Sequence, residues 1–346
     1  MNKLLKLINI ITNYLIKYDV YIVIEDADWV IKHEATQIKD YAKNIKIKIT
    51  RSHIGIRDSI IHFASINQLL TSHSIRVPHK SNKVVVTWYH VVKGDIRVKL
   101  VSEADKFVER WHTSCTNSKK NMIDLGIEES KIEIIPIGIN LNVFKKNKSS
   151  LQCKYKDIDG EKLIIIGSFQ KDGAGWGSGM VPKMIKGPDI FCDCIEELSK
   201  HFNILVLLTG PARGYVISRL KKSGIRFKHQ YLKHPNQIVD FYNACDLYLI
   251  TSREEGGPKS LLESMACQVP VISTKVGMSI DVLNNNINGV IVDIEDTRGI
   301  VNAAKIILND DIFSKKITTN ALRDVEKYDY KYLVPLIKKN LYEKCY

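Results

Sequence analysis

At 346 residues the chain is long enough for two domains, each with its own core. Hydrophobic residues make up 45% and charged residues 26%, an ordinary balance for a soluble protein, while seven scattered cysteines exclude both a disulfide framework and a metal array. The formal net charge of +13 favours acidic partners such as nucleotide diphosphates, an anionic membrane surface or nucleic acid, although part of it reflects a general bias toward lysine.

The opening stretch MNKLLKLINIITNYLIKY is apolar but broken by Lys6, Asn9 and Asn13. It is too short to span a membrane and lacks a small-residue cleavage site. It reads first as a helix packed on the first domain, and second as a basic amphipathic helix lying in a membrane interface. Strands are predicted at Asp19–Glu25, Ile45–Ile49, Ile60–Phe63, Lys83–Tyr89 and Lys131–Ile137, with helices over Lys32–Lys43 and Lys119–Leu125 and a loop at Asp26–Val30. Such alternation predicts a doubly wound parallel sheet. His90 follows the clearest strand at its carboxyl end, the edge where such sheets bind ligands. Ser114, Thr116 and Ser118 read either as caps of the following helix or as cleft residues.

The polar, aperiodic stretch 148–159 reads as a linker between a first domain, 1–147, and a second, 160–327. Strand LIIIG (Leu163–Gly167) opens the second domain, and a long glycine-rich loop leads to a helix beginning after Lys186, Gly187 and Pro188. Strand, glycine loop and helix make a phosphate-binding shape. The loop is no Walker motif, having no GK[ST], and is too long for a dinucleotide fingerprint. Arg213, after strand Phe202–Thr209, either faces a cleft or caps the next helix.

Residues 251–289 organise the second half. The apolar run LYLIT enters a glycine-bearing loop, a helix predicted to begin at Pro258, a buried strand at Pro270–Thr274 and a second loop at Gly277. Glu255 in the loop and Glu263 on the helix are separated by seven residues. From a start at Pro258, Glu263 lies about 7.5 Å along the helix axis, so both acids are predicted to face one crevice at the carboxyl end of the sheet. Carboxylates accept from paired hydroxyls, and the N–H groups after Gly256–Gly257 and Gly277 are placed to meet an anion. Read without their surroundings, two glutamates near a helix start are solvated caps.

The run EEGGPKSLLESMACQVPVIST resembles the E-x7-E signature of retaining glycosyltransferases of the GT-B fold, specifically glycosyltransferase family 4. The resemblance covers most of 160–292 and, more loosely, 84–144. It implies an α/β GT-B architecture: two Rossmann-like, doubly wound parallel-sheet domains facing a central cleft. It further implies that Glu263 holds the ribose hydroxyls of a nucleoside diphosphate sugar and that Glu255 faces the transferred sugar. In the same resemblance, His90 closes over the sugar phosphate and Lys186 clamps the diphosphate. Backbone from Gly256, Gly257, Pro258 and Gly277, with Lys259 and Ser260 in the first helical turn, completes the donor site. Ser168 stands where the family places an arginine. Lys171 and Arg213 are candidate substitutes, though a lysine lacks the bidentate fork. Gln268 replaces a usual glycine at a helix end, so a different cap is expected there. The tail 328–346, with a kink at Pro335, resembles the last helix that returns to the first domain.

The implied reaction is transfer to a hydroxyl acceptor with retention, by front-face attack or through a covalent carboxylate, with no metal and no prosthetic group. Surface glycan or lipid-linked oligosaccharide assembly follows as the expected setting, in the cytoplasm or peripherally on the inner face of the membrane. A sugar-nucleotide epimerase, a phosphorylase, an inactive relative and a basic nucleic-acid-binding module are the alternatives. No basic motif with interleaved aromatics supports the last.

Overall fold

The computed structural model describes residues 3–26, 30–92, 94–155, 157–158 and 161–346. Most of the Asp26–Val30 loop expected from the sequence therefore falls outside the described residues. The chain divides into two compact units, Met1–Gly138 with Tyr328–Tyr346, and Ile139–Lys327.

The first unit is built on six parallel strands: β1 (Val20–Val23), β2 (Ile47–Thr50), β3 (Ile60–Phe63), β4 (Lys83–Thr87), β5 (Arg110–Thr113) and β6 (Ile132–Ile134). Their order is β2-β1-β3-β4-β5-β6, with Val20 opposite both Ile47 and Ile60. The runs VYIV and IIHF are buried at every position, as expected of strands covered on both faces. Tyr21, Phe63, Val86, Trp88 and Trp111 lie in one hydrophobic core.

A polar chain runs through this core. The Ile135 carbonyl lies 2.9 Å from His112 Nε2, so that nitrogen carries the proton and Nδ1 must accept. Thr87 Oγ1, 2.9 Å away, is then the donor to His112 Nδ1 and accepts from His62 Nε2 at 2.7 Å. His62 Nδ1 in turn accepts from Tyr342 Oη at 2.9 Å. One carbonyl thus sets the direction of four hydrogen bonds, and both imidazoles are neutral. Burial drives their pKa values down, to about 3 for His62, where His112 adds to the effect, and to about 4 for His112.

Tyr342 belongs to the returning tail. The helix Tyr330–Ile337 contains Pro335 and runs into a π-helical turn, Lys338–Tyr342. Tyr330 packs so closely on Gly138 that an added Cβ there would lie 2.3 Å from its ring, and its hydroxyl bonds Glu34.

The second unit begins at Ile139, ahead of the stretch 148–159 read as a linker. That stretch is not aperiodic: a short helix, Ser150–Tyr155, is held by Ser149 Oγ on the Asp240 carbonyl (2.9 Å) and by Ser150 Oγ on the Asp240 carboxylate (2.7 Å). A small hairpin follows, β7 (Asp157–Ile158) and β8 (Glu161–Lys162). The main sheet contains β9 (Ile164–Ser168), β10 (Ile204–Thr209), β11 (Arg226–Gln230), β12 (Leu247–Ile250), β13 (Val271–Thr274) and β14 (Val290–Val292). It is parallel throughout, in the order β11-β10-β9-β12-β13-β14. From β9 the chain winds outward to β10 and β11, then returns to β12 on the other side. The topological switch point therefore lies between β9 and β12, and ligands bind outside the strand ends at such a point.

Candidate active site

The segments leaving β9 and β12 build the site. Beyond β9 the chain enters the glycine-rich loop, whose ends are drawn together by an antiparallel bridge between Gly173 and Pro182. Gly179 has no room for a side chain, since an added Cβ would lie 2.2 Å from the Ala212 carbonyl. Directly after Ala212, Arg213 is fully buried beneath the loop. One terminal nitrogen donates to the carbonyls of Ser168 (2.7 Å), Gln170 (2.7 Å) and Thr209 (3.1 Å), and the other to Ser168 Oγ (3.0 Å). Its Nε approaches Asp172 Oδ1 at 3.0 Å, an ion pair without hydrogen-bond alignment. Burial lowers the Arg213 pKa and raises that of Asp172, which the arginine partly offsets. Arg213 neither reaches a cleft nor caps a helix with its side chain. The expectation that it holds a diphosphate is corrected: its side chain is fully buried and bonds the ends of β9 and β10 and the start of the loop.

The loop ends in a 3-10 turn, Met184–Lys186, and Gly187 at φ +61. A Cβ on Gly187 would lie 1.9 Å from the Thr251 carbonyl. Only glycine permits this approach, which brings the loop against the exit of β12, and Thr251 Oγ1 donates to the Gly187 carbonyl at 2.9 Å. Pro188 then opens the helix Pro188–Leu198. Arg253 clamps the two exits. It is bidentate to Asp189 (2.8 Å each), bonds the Met184 carbonyl (2.8 Å) and pairs with Glu295 (2.7 Å). The guanidinium beside Asp189 holds that carboxyl below its usual range.

Within this frame Lys186 Nζ pairs with Glu255 Oε1, which also accepts from Ser252 Oγ at 3.0 Å. Both side chains are largely buried. Lys183 is nearby. Partial screening of its ammonium from water lowers its pKa, and the charges of Lys186 and Lys171 lower it further, against the pull of Glu255. Lys186 is thus the lysine in contact with Glu255, and Lys183 feels the charge of both. Lys171 lies 3.9 Å above the exposed Trp176 ring, a cation–π contact.

Glu263 sits on the helix Lys259–Ala266, for which Pro258 is the N-cap rather than the first residue. Tyr242 Oη donates to Glu263 Oε2 at 2.7 Å. Tyr242 is fully buried against Phe169 and Tyr248, and the Tyr248 hydroxyl accepts from Phe169 N at 3.0 Å. Glu263 is therefore tied to the exit of β9, and Ser260 bonds Tyr248 from the same helix. Gly277, at φ +47, packs on Glu255 and Gly256, whose carbonyls would be 2.7 and 2.6 Å from an added Cβ. Only Gly257 and Pro258 lie between Gly256, part of this contact, and Lys259, the first residue of the helix.

The helix closes in a Schellman motif. Val269 N donates to the Ser264 carbonyl (2.9 Å) and Gln268 N to the Met265 carbonyl (3.1 Å), with Gln268 at φ +53. The expected change of cap does not occur: Gln268 adopts the left-handed conformation itself. His90, in the first unit, is exposed beyond β4, and its carbonyl accepts from Trp88 Nε1 at 2.9 Å. Ser118 is buried and donates to the Tyr89 carbonyl at 2.9 Å. Sequence reasoning missed Lys183 and Arg253, because loop lysines and arginines are ordinarily solvated. The only local signal was Asp189 in the first turn of a helix.

Residues 179–324 match the family model for glycosyl transferases group 1. The chain is 22% identical over 301 residues to the N-acetyl-alpha-D-glucosaminyl L-malate synthase of Bacillus anthracis, covering 77% of this chain and 76% of that relative. It is 23% identical over 232 residues to a Campylobacter jejuni N,N'-diacetylbacillosaminyl-diphospho-undecaprenol alpha-1,3-N-acetylgalactosaminyltransferase, covering 65% of this chain and 57% of the relative. For several curated relatives the chain spans only about half of their length. Among solved structures, Anabaena HepE in complex with UDP and glucose superposes with a TM-score of 0.76 at 15% identity, covering 94% of this chain and 100% of HepE. The fold is that of GT-B glycosyltransferases.

Proposed function

We propose that this protein is a glycosyltransferase that moves a glycosyl unit from a nucleoside diphosphate sugar to a hydroxyl acceptor with retention of configuration, as family 4 enzymes do. The observation that carries the reading is the Lys186–Glu255 pair at the switch point, with Lys183 beside it and Glu263 on the adjoining helix. The second unit is the donor side. Glu263, oriented by Tyr242, accepts from the ribose hydroxyls. Lys186 and Lys183 receive the diphosphate, and two lysines supply the charge that a single arginine at the place of Ser168 would otherwise provide. The N–H groups ahead of Lys259 and around Gly277 face the same anion. As the sugar–phosphate bond breaks, negative charge grows on the leaving oxygen, and preorganised cations stabilise it more than they stabilise the ground state. Glu255, held by Lys186 and Ser252, faces the transferred sugar.

The first unit is the acceptor side, and His90 acts on the donor's sugar phosphate. HepE was solved with UDP and with UDP-glucose, which makes UDP-sugars the first donors to test. The Campylobacter relative is named for an undecaprenol-linked acceptor. A lipid-linked acceptor would place this enzyme in the cytoplasm, in contact with an anionic membrane. Thermal stabilisation by UDP-, GDP- and ADP-sugars would identify the nucleotide, and release of the nucleoside diphosphate would measure turnover. No stabilisation by any of the three, or full turnover in Glu263→Ala, would refute the reading.

A further inference from the structure

The glycine-rich loop carries more than its lysines. Residues 172–183 fold back on themselves as a hairpin: Ala174 N donates to the Val181 carbonyl (2.8 Å) and Lys183 N to the Asp172 carbonyl (2.7 Å). The returning limb is pinned from outside the loop, where Gly214 N donates to the Ser178 carbonyl (2.8 Å) and Tyr215 N to the Gly179 carbonyl (3.0 Å). At the tip Trp176 stands between Gly175, at φ +67, and Gly177. A Cβ on either glycine would meet nothing within 4 Å, so the tip projects clear of its surroundings. Trp176 is 68% exposed, and Met180 and Val181 on the same hairpin are 56% and 67% exposed. Single exposed apolar side chains are ordinary. Here several share one hairpin whose backbone hydrogen bonds fix it, so a tryptophan is presented rather than left to trail in solvent.

The neighbouring charges indicate what the indole meets. Lys171 Nζ lies 3.9 Å from the centre of the Trp176 ring. The Lys171 charge reaches Lys183, which also feels the Lys186–Glu255 pair, so the indole stands beside the cations assigned above to the diphosphate. A glycosyl diphosphate joins two unlike parts: phosphates that need cations, and a sugar ring whose faces present C–H groups. The face of an indole carries the negative end of its quadrupole, which attracts the positive ends of C–H bonds as it attracts an ammonium. Lys171 occupies one face of the ring, and the exposure of Trp176 leaves indole surface for a second partner. We propose that Trp176 stacks on the ring of the sugar carried by the donor, with Lys171 steadying the indole from its other face. This rests on the donor reading above and extends it from the phosphates to the sugar.

The test is isothermal titration calorimetry of the full chain with UDP, GDP and ADP and with the glucose conjugate of each. Trp176→Ala should weaken binding of the glucose conjugate by about five- to tenfold and binding of the bare diphosphate by less than about twofold. Trp176→Phe keeps an aromatic face and should recover most of that loss. The urea unfolding midpoint should be the same in both variants as in the wild type, because the side chain stands in solvent. An equal loss for the conjugate and the bare diphosphate would put the indole on the nucleotide instead and overturn the proposal. Undiminished binding of the conjugate by Trp176→Ala, or a phenylalanine variant no better than the alanine one, would overturn it as well. Failure of the wild type to bind any of the six ligands refutes the donor reading and this stacking with it. Wild-type binding that Trp176→Ala leaves intact refutes the stacking alone.

Discussion

Arg213 and Lys186 are two cations attached to the same glycine-rich loop, and they do opposite work. Arg213 lies beneath the loop, sealed from water, with its donors on carbonyls of the loop and of β10. Lys186 lies at the loop's far end, partly open, paired with a glutamate that belongs to another strand exit. The same contrast separates whole networks. The chain from Tyr342 through His62, Thr87 and His112 to Ile135 is closed at both ends, whereas Glu255, Lys186 and Lys183 gather at the switch point, where an anion can join them. A sealed polar group can only hold the fold. An open one with unbalanced charge can bind.

Removing Arg213 should have the largest effect, and on stability. Arg213→Met leaves Asp172 buried without its counter-ion and strips three carbonyls of their donor. Breaking a buried pair in this way costs about 3–5 kcal/mol. Urea denaturation should show the loss directly, with turnover falling only as the loop loosens. An unchanged unfolding midpoint would erase the distinction between the two cations.

Lys186→Ala should do the reverse. Loss of one preorganised donor to a developing anion lowers turnover by about 10²–10³-fold. Glu255 keeps its hydrogen bond from Ser252 and some access to water, so the unfolding midpoint should fall less than in Arg213→Met. Lys183→Ala should lower turnover less, because Lys186 remains. Wild-type nucleoside diphosphate release in Lys186→Ala would place the diphosphate elsewhere.

The sealed histidines predict a pH dependence. Their folded pKa values, about 3 and about 4, lie below the ordinary 6.5. Between those limits the unfolded chain takes up protons that the folded chain refuses. Stability is therefore complete above pH 6.5 and is lost as pH falls below it. At pH 5.5 the two histidines together should cost about 2–3 kcal/mol. Thermal melts of the wild type between pH 7.5 and 5.5 check this, and His62→Gln should halve the slope. A flat profile would mean that the network admits a proton, and hence water.

Much of this was legible in the sequence. The buried strands announced themselves as unbroken β-branched runs, and Ile60–Phe63 was located to the residue. The run from Glu255 to Glu263 was legible as a loop entering a helix, although the helix begins at Lys259 rather than Pro258. What was hidden depended on distant contacts. Whether Arg213 points outward or inward is decided by Gly179 folding onto Ala212, a contact that no window around Arg213 contains. Arg253 looks like a solvated loop residue until the Gly187–Thr251 approach brings the two exits together. The helix Ser150–Tyr155 owes its existence to Asp240 rather than to its own polar sequence.

Gln268 gives the smallest effect and the cleanest check on that division between local and distant causes. A left-handed residue at a helix end strains any side chain other than glycine by about 1 kcal/mol or slightly more. The sequence suggested that a different cap would relieve the strain, yet both Schellman hydrogen bonds are in place and Gln268 bears it. The strand β13 begins three residues later and is buried along its length, so the chain must turn here whatever residue stands at the corner. Gln268→Gly should therefore raise the unfolding free energy from urea denaturation by about 1 kcal/mol, with a higher midpoint, and Gln268→Ala should be close to neutral. A lower midpoint for the glycine variant would show that the glutamine side chain, and not the turn alone, holds this corner behind Glu263.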